Sequence, residues 1–231
     1  MPTKKKVVAE KHDVKSVLAA LKKSRSVSIR REMAPRYGVH TEKAFGVSMA
    51  TMQALAKRVG VSHELAGELW KTGWYEARMV ASMIDEIDKV TPAQMDRWAR
   101  DFDNWGICDT VCFVLFDRSP YAFEKIAKWS KRREEFIKRA GFALLACVAL
   151  HRKGIADAEF IRCLPLIENA ATDERNFVKK GVSWALRAIA RRSDVLKLES
   201  AKLAKRLADS VDPTARWLGK EVLREIAKTR K

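Results

Sequence analysis

The stretch Asn104-Trp105-Gly106-Ile107-Cys108-Asp109-Thr110-Val111-Cys112-Phe113-Val114-Leu115-Phe116 carries a single charge, on Asp109. On a helix, that carboxylate shares its face with Trp105 one turn before it and with Cys112, Phe113 and Phe116 after it. A carboxylate on an apolar stripe is costly unless it is paired or opens onto a cleft. The bland reading is a structural Asp that caps a neighbouring helix or pairs with an Arg. The sharper one is a site carboxylate held beside an indole, able to stabilise positive charge that develops on a substrate.

Two further segments bear on the choice. Trp184 stands off the apolar stripe Val178, Val182, Ala185, Leu186 and Ile189, with Lys180 at i−4, Arg187 at i+3 and Arg191 at i+7. A ring embedded among cations suits nucleic acid, since the cations neutralise phosphates and the ring packs on sugar or base. A half-buried Trp with snorkelling neighbours would look the same. The run from Trp129 to Arg139 is rich in Lys and Arg and leads into the uncharged segment Ala140 to Leu150. Arg139 is the last charge before that apolar helix. It is a candidate phosphate clamp or a partner for Asp109, and otherwise an ordinary charge at a helix start. Lys138, Lys179, Lys180, Arg187 and Arg191 complete the candidate DNA-binding cations.

Other chemistries lack their residues. Cys108 and Cys112 lie four apart without a His or second Cys pair, so they read as core thiols rather than zinc ligands. The four His, at 12, 40, 63 and 151, form no HExxH and no partnership with a nucleophile, and there is no Gly-rich phosphate loop.

The elements that must position these groups are helical. Val14, Val17, Leu18 and Leu21 repeat at helical spacing, as do Met52, Leu55, Ala56 and Val59 before a stop at Gly60. Thr91-Pro92-Ala93-Gln94 is a capping box with Pro in the first helical position. Ser62, Ser119-Pro120 and Asp212-Pro213 mark further starts, and a long helix is expected over Thr172–Arg192. With 10 Gly and 6 Pro in 231 residues, and no alternating strand, the chain reads as all-α. Starts near 62, 92, 104, 120, 134, 157, 174, 194 and 213 give antiparallel helix pairs spaced by roughly 40 residues, the period of HEAT-like solenoids. Self-similarity at that period is weak, so a compact bundle stays open. A curved solenoid would present a concave cleft to an extended polyanion. Residues 1–12 are expected to be a mobile basic tail, and 13–231 a single domain.

The charge agrees with a polyanionic partner. Lys and Arg number 46 against 29 Asp and Glu, net +17. Residues 1–60 carry +10, residues 61–117 carry −6, residues 118–160 carry +5 and residues 161–231 carry +8. One acidic segment, which contains Asp109, is flanked by basic ones. The longest apolar run, Phe142 to Leu150, falls short of the ~20 residues of a membrane span, and no signal peptide is expected at the N-terminus. These features lead to an expectation of a cytoplasmic protein with no membrane partner.

With these residues in view, the sequence resembles the AlkD family of bacterial DNA alkylation repair proteins, built from HEAT-like repeats. The resemblance covers most of the chain. It rests on Asn104-Trp105-Gly106-Ile107-Cys108-Asp109, on Phe136-Ile137-Lys138-Arg139, and on Asp173-Glu174-Arg175-Asn176-Phe177-Val178-Lys179-Lys180 followed by Trp184. It implies that Trp105, Asp109, Arg139 and Trp184 line a basic DNA-binding cleft. It further implies a monomeric glycosylase that hydrolyses the N-glycosidic bond of N3- or N7-alkylated purines in double-stranded DNA. No metal or organic cofactor and no base flipping would be involved, and Asp109 would stabilise the oxocarbenium-like sugar and orient water. One departure is Gly106, where members usually carry an acidic residue directly after the first Trp. The rival from another class is a non-catalytic helical-repeat scaffold for DNA, RNA or an acidic protein. A third is a glycosylase-like protein turned to bulky lesions or branched DNA.

Overall fold

The computed structural model describes residues 12–228. The basic tail expected over 1–12 thus lies, but for His12, outside the described residues. Thirteen α-helices and no strand are present among them. They group into two compact units, one formed by residues up to Tyr37 and Glu42–Glu86, the other by Gly38–Thr41 with the chain from Ile87 onward. The sequence had been read as one domain over 13–231, and each unit is described by itself.

The first unit contains α1 (Val14–Lys23), α2 (Val27–Glu32), α3 (Met49–Val59), α4 (His63–Lys71) and α5 (Tyr75–Ile84). Polar caps start its helices where the sequence offers them: Asp13, Ser26, Ser48 and Ser62 each accept a backbone N–H. Gly60 ends α3 at φ +79, a conformation that only glycine adopts cheaply. Glu76, fully buried on α5, accepts the backbone N–H groups of Phe45 (3.0 Å), Gly46 (2.7 Å) and Val47 (3.2 Å). A side-chain anion there satisfies a turn that would otherwise leave three amides unpaired.

The second unit holds α6 (Pro92–Arg100), α7 (Trp105–Val114), α8 (Ala122–Trp129), α9 (Glu135–His151), α10 (Asp157–Asn169), α11 (Asn176–Ala190), α12 (Asp194–Ala208) and α13 (Pro213–Lys228). Helices α7, α9, α11 and α13 pack successively on one another, and α8, α10 and α12 pack against their chain neighbours in that row. The row starts at residues 105, 135, 176 and 213, intervals of 30, 41 and 37. That is the repeat period expected from the sequence, blurred enough to hide the self-similarity.

Small residues set the close approaches in this row. A Cβ on Gly141 would lie 2.6 Å from the backbone nitrogen of Ser130, and one on Gly219 would strike the Ala208 nitrogen. The centre of α9, Ala140 to Ala149, is buried throughout, as its lack of charge predicts.

Two boundaries differ from expectation. The helix expected over Thr172–Arg192 begins at Asn176, because the Asp173 carboxylate accepts the N–H of Arg175 and holds the backbone in a turn. After Ser119-Pro120, α8 begins at Ala122; the Ser119 hydroxyl accepts the N–H of Tyr121 instead of capping a longer helix. Helices α2 and α5 carried no start signal strong enough to read, and α5 has no side-chain cap.

Candidate functional site

Asn104 opens α7 by accepting the N–H of Ile107 at 3.0 Å. Such a cap stabilises by about 1 kcal/mol, which offsets the similar cost of Gly106 in the same turn. Trp105 stands half-buried in that first turn. Asp109 follows one turn later, and its side chain is only 18% exposed.

Its partner comes from α9. Arg139 donates from Nε to Asp109 Oδ1 at 2.8 Å and from Nη2 to Oδ2 at 2.6 Å, a bidentate pair, while Nη1 donates to the Phe177 carbonyl at 2.5 Å. Of the two roles the sequence allowed Arg139, the geometry gives it the pairing with Asp109. Gly181 lets α11 come close enough for this: its Cβ position lies 3.4 Å from Arg139 Cγ. Burial pushes the Asp109 carboxyl above its ordinary value of 3.8, and Arg139 opposes that push. The charge state of Asp109 therefore depends on this one guanidinium.

Asp109 and Arg139 form one wall of an open cleft of about 400 Å³, lined also by Lys180, Ser183, Trp184 and Arg187 of α11 and by Trp217 and Glu221 of α13. Five of the nine residues singled out from sequence thus meet in one place: Asp109, Arg139, Lys180, Trp184 and Arg187. Trp105 is not among the lining side chains. Lys138 is bound to Asp173 at 2.8 Å, and Arg175 holds the same carboxylate. Hydrogen bonds from Arg175, against the opposing effect of burial and with Lys138 assisting, bring Asp173 down to about 2. Lys179 lies 5.3 Å from the Trp217 ring centroid, and Arg191 faces Glu225 at 3.4 Å.

Sequence reasoning missed Trp217, Glu221 and Ser183. The signal for Trp217 was present: like Trp184, it sits on a helix among cations, with Lys220 at i+3 and Arg224 at i+7. Its ring is 38% exposed. Ser183 Oγ and Glu221 Oε2 are both buried and have no hydrogen-bond partner. Cys108 and Cys112 are buried core thiols facing the carbonyls of Phe136 and Ala140. Among the described residues no group of three His, Cys, Asp or Glu could hold a metal, and no helix is long and apolar enough to cross a membrane.

The sequence model of the DNA alkylation repair enzyme family matches residues 17–201, a span that includes Asp109, Arg139 and Trp184. The chain belongs to the DNA alkylation repair enzyme family. A solved structure, described as "a new family of proteins related to the HEAT-like repeat DNA glycosylases with affinity for branched DNA structures", superposes with a TM-score of 0.79 over 95% of this chain and 96% of the other, at 21% identity. At that identity the likeness establishes the fold, which is HEAT-like. Among curated proteins no sequence matches this member of the family.

Proposed function

We propose that the protein is a DNA glycosylase that hydrolyses the N-glycosidic bond of N3- or N7-alkylated purines in duplex DNA. The observation that carries this reading is a carboxylate, Asp109, set into a cleft whose other walls are two tryptophans and the cations Lys180 and Arg187. A protein that only bound phosphates would gain nothing from a negative group there. Membership of the repair family supports the substrate class.

An alkylated purine already carries positive charge, so it leaves without being protonated. As the bond breaks, its electron pair goes to the base, which departs neutral, and positive charge grows on the deoxyribose. The Asp109 carboxylate stabilises that charge, all the more in a cleft from which the Trp184 and Trp217 rings exclude water. Both Asp109 oxygens are engaged by Arg139, so its contribution is electrostatic. Lys180 and Arg187 hold the phosphates flanking the lesion. Trp105, at the start of α7, backs Asp109 rather than contacting the sugar. No residue set in the cleft suggests a pocket for an extruded base, in keeping with excision from the stack. We place this activity in the cytoplasm, on DNA, by a monomer without a cofactor.

The test is release of free base from N-methyl-N-nitrosourea-treated duplex DNA. Stoichiometric or catalytic release of 7-methylguanine or 3-methyladenine supports the proposal, and none at any enzyme concentration refutes it. A second reading, non-catalytic binding of branched DNA, is favoured by one observation: Arg139 neutralises Asp109 within the protein itself. Tight binding to a four-way junction without base release would establish that reading instead.

A further inference from the structure

We propose that Glu221 is the general base of the cleft and that Glu221 and Ser183 together hold the attacking water. The inference rests on the glycosylase reading and goes beyond it, because that reading supplies a charge for the sugar but no acceptor for the water's proton.

The argument turns on which oxygens are available. Asp109 accepts two N–H bonds from Arg139 at 2.8 and 2.6 Å, one on each oxygen. Glu221 lines the same cleft from α13, and its Oε2 is buried without a hydrogen-bond partner. Ser183, 1% exposed on α11, lines the cleft as well, and its Oγ has no partner either. Buried polar atoms in folded proteins are almost always satisfied, and an orphan needs an explanation. Here two orphans share one cleft, and their chemistries differ in the useful way. An ionised carboxylate only accepts, whereas a hydroxyl donates and accepts. A water held between them donates one hydrogen to Glu221 and accepts from Ser183 Oγ–H, leaving a lone pair for attack. An ordered buried water typically makes two to four such bonds.

The spacing on α13 points the same way. Trp217 and Glu221 are four residues apart and line the cleft together, as Trp105 and Asp109 are four apart on α7. Each helix brings an indole and a carboxylate one turn apart, but only the carboxylate of α13 keeps an oxygen unbound by protein. In the step, the water oxygen forms a bond to the sugar C1′ and the C1′–N bond breaks with its electron pair going to the base. The water's proton passes to Glu221. The products are neutral alkylated purine, an abasic sugar and one proton, so no further reactant is needed.

The experiment compares single-turnover release of 7-methylguanine from methylated duplex by wild type, Glu221→Gln and Ser183→Ala. Affinity for undamaged duplex and the thermal unfolding midpoint are measured in parallel. Glu221→Gln keeps size and should fold, since the protein makes no bond to Oε2. Its rate should fall about 10²-fold or more, the range of general-base contributions, with duplex affinity unchanged. The wild-type rate should decline toward acid pH, and the residual Glu221→Gln rate should lose the limb that reports this carboxylate. Ser183→Ala should lose roughly tenfold. Wild-type release with an unaltered Glu221→Gln rate overturns this inference and leaves the glycosylase reading standing. A Glu221→Gln loss matched by an equal loss of affinity makes the residue a binding group and also overturns it. A wild type that releases no base overturns both.

Discussion

The two units each bury a carboxylate, and they solve the problem in opposite ways. Glu76 is fully buried and meets three backbone N–H groups of its own turn. Asp109 keeps 18% of its side chain exposed and meets a guanidinium carried by another helix. Fixed amides cannot move or be exchanged, so the Glu76 charge is locked into structure. A side-chain partner at the rim of a cleft leaves the Asp109 field directed toward whatever enters. A buried carboxylate is therefore weak evidence of function by itself; what answers it, and whether it faces open space, decides.

The largest effect should come from breaking the structural half of this comparison. Glu76→Ala strands three buried amides, each costing about 1–3 kcal/mol, so urea denaturation should show a loss of at least about 3 kcal/mol. Base release per folded molecule should not change. If stability stays within 0.5 kcal/mol of wild type, to take the ordinary scatter of about that size for surface changes, Glu76 is not the anchor described.

Next is Arg139→Met. Removing the guanidinium leaves burial unopposed at Asp109, so its carboxyl should rise further above 3.8. The acid limb of the rate profile attributable to Asp109 should therefore move to higher pH, with a rate loss of about 10²-fold at neutral pH. The group's own stability contribution has the matching sign. Because the folded value is raised, ionising Asp109 lowers stability as pH climbs past it. An unshifted profile would mean that Arg139 does not govern Asp109.

A smaller effect is expected at Trp217. Trp217→Ala should weaken binding to duplex DNA by about 1–3 kcal/mol, the range for aromatic stacking, and should leave unfolding nearly unchanged because the ring is exposed. The smallest concerns Asp173, held at about 2 by Arg175 and Lys138 against an ordinary value of 3.8. A lowered carboxylate adds stability above 3.8 that is lost as pH falls toward 2, so Asp173→Asn should flatten the acid unfolding curve in that window. It should also free Lys138, and a slightly steeper salt dependence of DNA binding would show it.

Much of this was legible in the sequence. Caps at Ser62, Thr91, Asn104 and Asp212 located helix starts because their side chains bond amides within three residues, an effect confined to local chain. Asp109 stood out as one charge in an apolar run, and Trp184 as a ring among cations. The family resemblance is confirmed by the match over residues 17–201. What local patterns could not show is pairing at a distance. Lys138 and Arg139 are adjacent, yet one is bound to Asp173 and the other to Asp109, 35 and 30 residues away in sequence. Glu221 looked like a solvated helix charge, because only packing of α13 on α11 reveals that one of its oxygens is buried. Helix α5 escaped notice because its contacts, including Glu76, are made to other segments rather than within it.

The central claim is that the Asp109 charge, not merely its shape, performs the chemistry. Asp109→Asn tests it directly, in a single-turnover assay of 7-methylguanine release from methylated duplex DNA beside a measurement of duplex affinity. The account predicts a loss of about 10²–10³-fold in rate, the scale of one electrostatic stabiliser, with affinity retained. Release at the wild-type rate by a folded Asp109→Asn protein would contradict it.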